Sequence, residues 1–325
     1  MKFGFVLPNR GPLSTREGLI NLASQGESLG FDFMAVSDHV VVPRNISSTY
    51  PYTDSGEFPG GEFVGDCLEQ LTTLAFIAGA TSKAQLLTSV MVTPYRSAIH
   101  AAKVLATIDV LSKGRLLVGL GAGWMEEEFK ALGLNTYELR GRVTDEYISA
   151  FKEMWTSNNP DFQGHHVSFD NISFEPKPTQ KPHPPIWTGG ESPAALRRAG
   201  RYADVWYPIG NNPKYRLQKP EKLYSYFERV KQNADESGRD PESISLAYAA
   251  SWYDETKAHI TQDGDRTILT GSFNQIASDI DQLKEVGVDY LLIDVLGFDL
   301  LSSSTGESKE RMDAFYTEII SQVMN

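Results

Sequence analysis

The sequence is poorest in cysteine, in positive charge and in long apolar runs, and each shortage excludes something. Cys67 is the only cysteine in 325 residues, so neither an intrachain disulfide nor a cysteine-based zinc site can form. Lys and Arg total 30 against 42 Asp and Glu, which leaves a net charge of −12 and a pI near 5.0. Nucleic acid and anionic membrane both require clustered cations to neutralise phosphate, so neither partner is expected. No apolar run approaches the ~20 residues of a membrane span. The chain runs from Met1 and Lys2 straight into the strand-like Phe3–Leu7 with no signal-peptide pattern, and a cytoplasmic protein is the expectation. Histidine is also scarce, at 6 residues, which is thin material for a multi-histidine metal centre.

What is present is globular: 41% hydrophobic and 22% charged residues. Short apolar, β-branched runs recur, each followed by a stretch with helical period. The predicted strands are Phe3–Leu7, Phe33–Val36, Leu86–Val92, Arg115–Leu120, Pro185–Thr188, Val205–Tyr207, Ser245–Ala249 and Tyr290–Asp294. The predicted helices are Glu17–Leu29, Cys67–Ala80, Ala98–Leu111, Val143–Met154, Pro193–Tyr202, Pro220–Ser237, Ser272–Val286 and Ser308–Val323. Ser192-Pro193 supplies an N-cap with proline in the first turn, and Gly30, Gly200, Gly238 and Gly287 sit at helix ends. Strands that are apolar throughout are buried on both faces and belong in a parallel sheet. Eight such units in one chain predict an α/β fold, a single (β/α)8 TIM barrel over residues 1–325, with loop insertions near 43–66, 158–184 and 253–272. The same string also fits a doubly wound sheet.

In a barrel, chemistry gathers at the C-terminal ends of strands. There the sequence places Ser37-Asp38-His39, Ser89-Val90, Gly121-Ala122-Gly123-Trp124, Gly189-Gly190-Glu191-Ser192 and Trp206-Tyr207. His39 beside Asp38 reads as an imidazole oriented by a carboxylate, an acid/base pair, or else as a loop histidine next to a capping residue. The glycines at 119, 121 and 123 lack the dinucleotide spacing, and Glu126, Glu127 and Glu128 at the following helix start would repel a phosphate. That bend suits a flat ring lying against backbone better than a pyrophosphate. Gly190, Glu191 and Ser192 precede a helix and could hold an anion through free N–H groups, or simply cap the helix; Glu191 helps only if it points away. Arg142 could reach that anion. His165-His166 has no third ligand at sensible spacing and reads as a solvated loop, so no metal is expected.

Together these residues resemble the luciferase-like monooxygenase superfamily, barrels that use FMN or the 8-hydroxy-5-deazaflavin coenzyme F420. The resemblance covers roughly residues 1–210 and the final β/α units. It rests on Ser37-Asp38-His39, Thr88-Ser89-Val90, the run from Ala102-Lys103 through Lys113-Gly114-Arg115 into Gly121–Trp124 and Glu128-Phe129, Pro184–Ser192, and Ala203-Asp204-Val205-Trp206. It implies a flavin-type oxidoreductase acting on a small organic molecule, either reducing it or oxygenating it. It implies Asp38 and His39 as the acid/base pair and Ser89-Val90 as a non-prolyl cis peptide under the ring. Gly121, Ala122, Gly123 and Trp124 would follow the ring's polar edge, with Gly190, Glu191, Ser192 and Arg142 at the phosphate. The branch resembled most is the deazaflavin-dependent one, which favours F420 over FMN. Two departures stand out: deazaflavin sugar-phosphate dehydrogenases carry glutamate where this chain has Trp124, and sulfonate-oxidising members carry tyrosine where it has Val143. The family also sets expectations of a separate flavin or deazaflavin reductase and of a homodimer. The rival readings are a non-catalytic flavin-binding barrel, a metal-dependent hydrolase and a Rossmann dehydrogenase.

Overall fold

A computed structural model of the chain describes residues 1–59, 67–250, 252–261, 264–296 and 304–323. The predicted insertions 43–66 and 253–272 therefore reach partly outside the described residues. Eight parallel strands form the centre: β1 (Lys2–Val6), β2 (Phe33–Val36), β3 (Gln85–Thr88), β4 (Leu116–Gly121), β5 (Ile186–Gly189), β6 (Val205–Tyr207), β7 (Ser245–Ala250) and β8 (Val288–Ile293). Their order is β3-β2-β1-β8-β7-β6-β5-β4, and pairing of Leu86 with Leu116 closes β3 onto β4. Closure rules out the open doubly wound sheet and gives the barrel.

Around it lie α1 (Arg16–Leu29), α2 (Gln70–Ala80), α3 (Ala98–Leu111), α4 (Glu126–Ala131), α5 (Arg140–Thr156), α6 (Pro193–Tyr202), α7 (Pro220–Asp235), α8 (Phe273–Glu285) and α9 (Thr305–Phe315). Among the described residues no helix is long and apolar enough to cross a membrane. The caps explain several boundaries. Ser192 accepts from Ala195 N at the start of α6, and Ser272 with Gln275 closes a capping box on α8. Ser304 with Glu307 does the same for α9, so that helix begins three residues before the predicted Ser308.

Two cores follow from strands buried on both faces. Phe33, Leu87, Leu117, Trp187 and Ala247 fill the barrel, with the Trp187 and Tyr290 rings 4.7 Å apart. Gly4 makes room for this: a Cβ there would sit 2.3 Å from the Phe33 ring. The larger core lies between strands and helices. Two boundaries differ from expectation for reasons that matter below. The run Leu86–Val92 is interrupted: β3 stops at Thr88, the Ser89–Val90 peptide is cis, and Met91–Val92 resumes beside β4. The helix predicted from Cys67 starts at Gln70, because Cys67 instead bridges to Arg10 and Glu69 caps α2 by accepting from Thr72 N.

Candidate active site

The C-terminal strand ends enclose a cavity of about 400 Å³. Of the predicted site residues, Asp38, His39, Ser89, Val90, Gly121, Ala122, Gly123, Trp124, Gly190, Glu191 and Ser192 all line it. Arg142 does not. It is exposed and lies over a separate depression beside Arg197 and Arg201, while Arg140 and Arg198 face the cavity instead. Arg140 is fixed there by donating to Gly123 O and Tyr137 O, and Arg198 by bonds to Asp145 and Gly141 O. A helix turns about 100° per residue, so a shift of two positions along α5 turns a side chain to the other face.

The expected Asp38–His39 pair is corrected by the structure. The two neighbouring side chains find different partners. His39 Nδ1 donates to Glu128 Oε2 at 2.8 Å. Asp38 is bound by both Arg96 terminal nitrogens, at 2.7 and 2.8 Å, and by Val92 N. Arg96 also reaches Glu69. Burial resists ionisation of Glu69, yet the Thr72 N–H and the Arg96 guanidinium hold its carboxyl below the usual range. Asp38 is thus the buried anchor of an ion-pair chain that ties β2 to α2 and to the segment after β3.

Glu128 is fully buried and accepts from four donors: His39 Nδ1, Val40 N, Val41 N and Tyr95 OH. Glu127 accepts from Ser47 N, Ser48 N and Ser48 Oγ. The acidic start of α4, read from the sequence as a barrier to phosphate, therefore clamps the loop after β2. With Nδ1 tied to Glu128, Nε2 is the nitrogen of His39 left without a protein partner among the described residues.

One wall is almost bare backbone. A Cβ on Gly121 would lie 2.5 Å from Val90 Cγ2, and a Cβ on Gly189 would lie 3.7 Å from Val90 Cγ1. Gly190 is in the left-handed region at φ +97°. Ser89 Oγ and the Tyr207 hydroxyl share a hydrogen bond of 2.9 Å, and burial pushes the phenol's pKa up. The opposite side is aromatic: Tyr50, Phe58 and Trp124 contact one another with centroids 5.1–5.4 Å apart, and His39 lies 5.1 Å from Phe58.

Glu191 does point away from the anion nest. It accepts from Ile209 N and Asn212 Nδ2, both at 2.8 Å, and burial raises its carboxyl to about 7. Ser192 acts as the N-cap of α6 and also lines the cavity. His165 and His166 sit in a hairpin whose backbone N–H groups bind Glu146, away from the cavity. Among the described residues no group of three or more His, Cys, Asp or Glu could hold a metal ion.

Sequence reasoning missed Glu128, Arg96, Tyr95, Arg10, Tyr50, Phe58 and Arg140. Glu128 carried a signal, a third acid in a first turn where one suffices for the helix dipole; the others carried none.

Comparison with known proteins gives a consistent picture. The profile of the luciferase-like monooxygenase family matches residues 1–253. An FMNH2-dependent dimethylsulfone monooxygenase of Pseudomonas putida is 32% identical over 270 residues, covering 71% of this chain and 74% of that one. Among solved structures, the monooxygenase RslO1 of Streptomyces bottropensis superposes with a TM-score of 0.75 at 22% identity, over 99% of this chain and 100% of that one. The coenzyme F420-dependent tetrahydromethanopterin reductase of Methanopyrus kandleri gives 0.74 at 16% identity, over 99% of each chain. At such identities the two structures bear on the fold alone.

Proposed function

This chain belongs to the luciferase-like monooxygenase family and is an oxidoreductase served by a flavin-type cofactor, and from that premise we propose that the cofactor is reduced FMN and the reaction is oxygenation of a small organic molecule. The observation carrying this reading is the pairing, within one cavity, of a bare-backbone wall with a histidine held from behind. The wall at Val90, Gly121 and Gly189 suits a planar ring, because any side chain on those glycines would fill the space above Val90. Gly190 and Ser192 at the start of α6, with Arg198 beside them, suit the phosphate end. The deazaflavin favoured by the branch resemblance gives way to FMN because the relative above 30% identity is named for FMNH2.

Reduced FMN, when bound, supplies the two electrons with which oxygen is divided between substrate and water. The remaining work falls to this chain. Glu128 fixes the imidazole so that Nε2 of His39 faces the cavity and can hold or release one proton there. Tyr50, Phe58 and Trp124 exclude water on the substrate side. Residues 1–325 work as one barrel unit, in the proposal, as a homodimer served by a separate flavin reductase.

Titrating the protein with FMN and with F420, each oxidised and reduced, tests this. Tightest binding of reduced FMN, with oxygen consumed when substrate is added, is the expected result. Preference for F420 would replace oxygenation with hydride transfer. No binding of either would remove the flavin reading.

A further inference from the structure

The Nη1 of Arg10 is fully buried and has no hydrogen-bond partner among the described residues. Among the described residues no carboxylate pairs with it; Asp38 and Glu128, whose charges act with that of Arg10 on Cys67, are engaged elsewhere, Asp38 with Arg96 and Glu128 with His39. The charges of Asp294 and Arg10 act on each other and both act on Tyr50. Its carboxyl takes a hydrogen bond from Leu296 N. A buried, unpaired guanidinium nitrogen in a folded protein is costly unless something fills it.

The position of Arg10 is built. Asn9 beside it donates to Ser37 O at 2.9 Å and to Leu68 O at 3.1 Å, and accepts from Ser37 Oγ, so the chain after β1 is held to two neighbours. The Arg10 guanidinium lies 4.8 Å from the centroid of the Phe58 ring, and the residue lines the cavity. It cannot serve the phosphate end. That end follows β5, and in the order β3-β2-β1-β8-β7-β6-β5-β4 strand β1 stands diametrically across the barrel from β5. The glycine wall follows β3, β4 and β5, from two to four strands away from β1 in the closed barrel.

We propose that Arg10 determines substrate specificity: the substrate carries an anionic oxygen, as in a carboxylate, sulfinate or sulfonate, on a flat apolar body. Arg10 binds the anion through charge-assisted hydrogen bonds, and Tyr50, Phe58 and Trp124 clasp the body beside His39. This rests on the reading of the cavity as a flavin and substrate site, and deepens it by naming the substrate class.

The test uses benzoate and its neutral isostere benzamide, titrated calorimetrically into the wild-type protein, Arg10→Met and Arg10→Lys, with reduced FMN titrated in parallel. Wild type should bind benzoate about 10- to 100-fold more tightly than benzamide. Arg10→Met should bring that ratio to about one and Arg10→Lys should keep part of it, with the FMN affinity alike in all three. Equal binding of the two probes by wild type, failure of benzoate to bind, or a preference that survives in Arg10→Met would overturn the proposal. Should FMN fail to bind wild type while the benzoate preference appears and vanishes in Arg10→Met, the flavin reading falls and the anion site stands. Should FMN bind and the preference be missing, only the Arg10 inference falls.

Discussion

His39 and Glu128 are 89 positions apart in the chain and 2.8 Å apart in the fold, and their division of labour can be separated by substitution. His39→Asn keeps an N–H donor near the position of Nδ1 and removes the proton carrier, so turnover should fall about 10²- to 10⁴-fold with the reduced-FMN affinity little changed. An equal loss of binding and turnover would make His39 a structural prop. Glu128→Gln acts differently. It replaces one acceptor oxygen by an N–H that then faces donors, which should cost about 1–3 kcal/mol, visible as a lower urea midpoint. Because Glu128 works through His39, the variant should also displace the pH dependence of kcat. A stability loss with an unmoved pH profile would reduce Glu128 to a loop clamp. Asp38, its side chain saturated by Arg96 and Val92 N, belongs with the scaffold in this account.

Among the elements, β4 and the segment after β3 shape the glycine wall of the cavity, and the two glycines of β4 differ in what they touch. A Cβ on Gly119 would lie 2.0 Å from the carbonyl oxygen of Thr88, which is backbone in a paired strand and cannot step aside. Gly119→Ala should therefore destabilise the whole barrel by about 1–3 kcal/mol or more. A Cβ on Gly121 meets only the tip of Val90. Gly121→Ala should cost less stability but weaken reduced-FMN binding by about tenfold, since it pushes Val90 into the bed. The measurements are thermal midpoints and FMN titrations of both variants; the reverse ranking would mean that the wall at Val90 is not where the ring lies. The loop after β2 is the other deciding element. Glu127 and Glu128 hold its near end, and the bond from Asn211 Nδ2 to Tyr52 O with the Arg216–Asp54 ion pair holds its far end, which brings Tyr50 and Phe58 over the cavity.

For the molecule as a whole, two buried carboxyls set a pH dependence of stability. Burial raises Glu191 to about 7 and Asp294 to about 6, from ordinary values of 4.5 and 3.8. Between those limits the folded protein holds protons that the unfolded chain has released. The stability that these two groups contribute is therefore fullest below their unfolded values, falls as pH rises through the window, and levels off above about 7. Glu191 alone accounts for a fall on the order of 3 kcal/mol. Urea midpoints should decline from about pH 5 to about pH 7.5 in wild type, and Glu191→Gln should flatten most of that decline. An identical slope in the variant would show that Glu191 titrates elsewhere. The overall charge of −12 adds self-repulsion of the same sign as pH rises.

The sequence by itself determined the alternating strands and helices of a parallel α/β fold and the strand ends at which the site stands, while closure of β3 onto β4 decided for the barrel. Strands apolar on both faces, such as Phe33–Val36, and caps such as Ser192 and Ser272 are signals read within a few residues, because period and capping are local physics. They placed Gly121 and Gly189 at strand ends and His39 just beyond one, which is where the structure has them. The tertiary structure alone decided who holds whom. It gave His39 to Glu128 and Asp38 to Arg96, turned Arg140 inward where Arg142 had been expected, and set Arg10 over Phe58 with its Nη1 without a hydrogen-bond partner among the described residues. Those contacts join loops far apart in the chain, and a hydrogen bond across a cavity imposes no period on the sequence at either end.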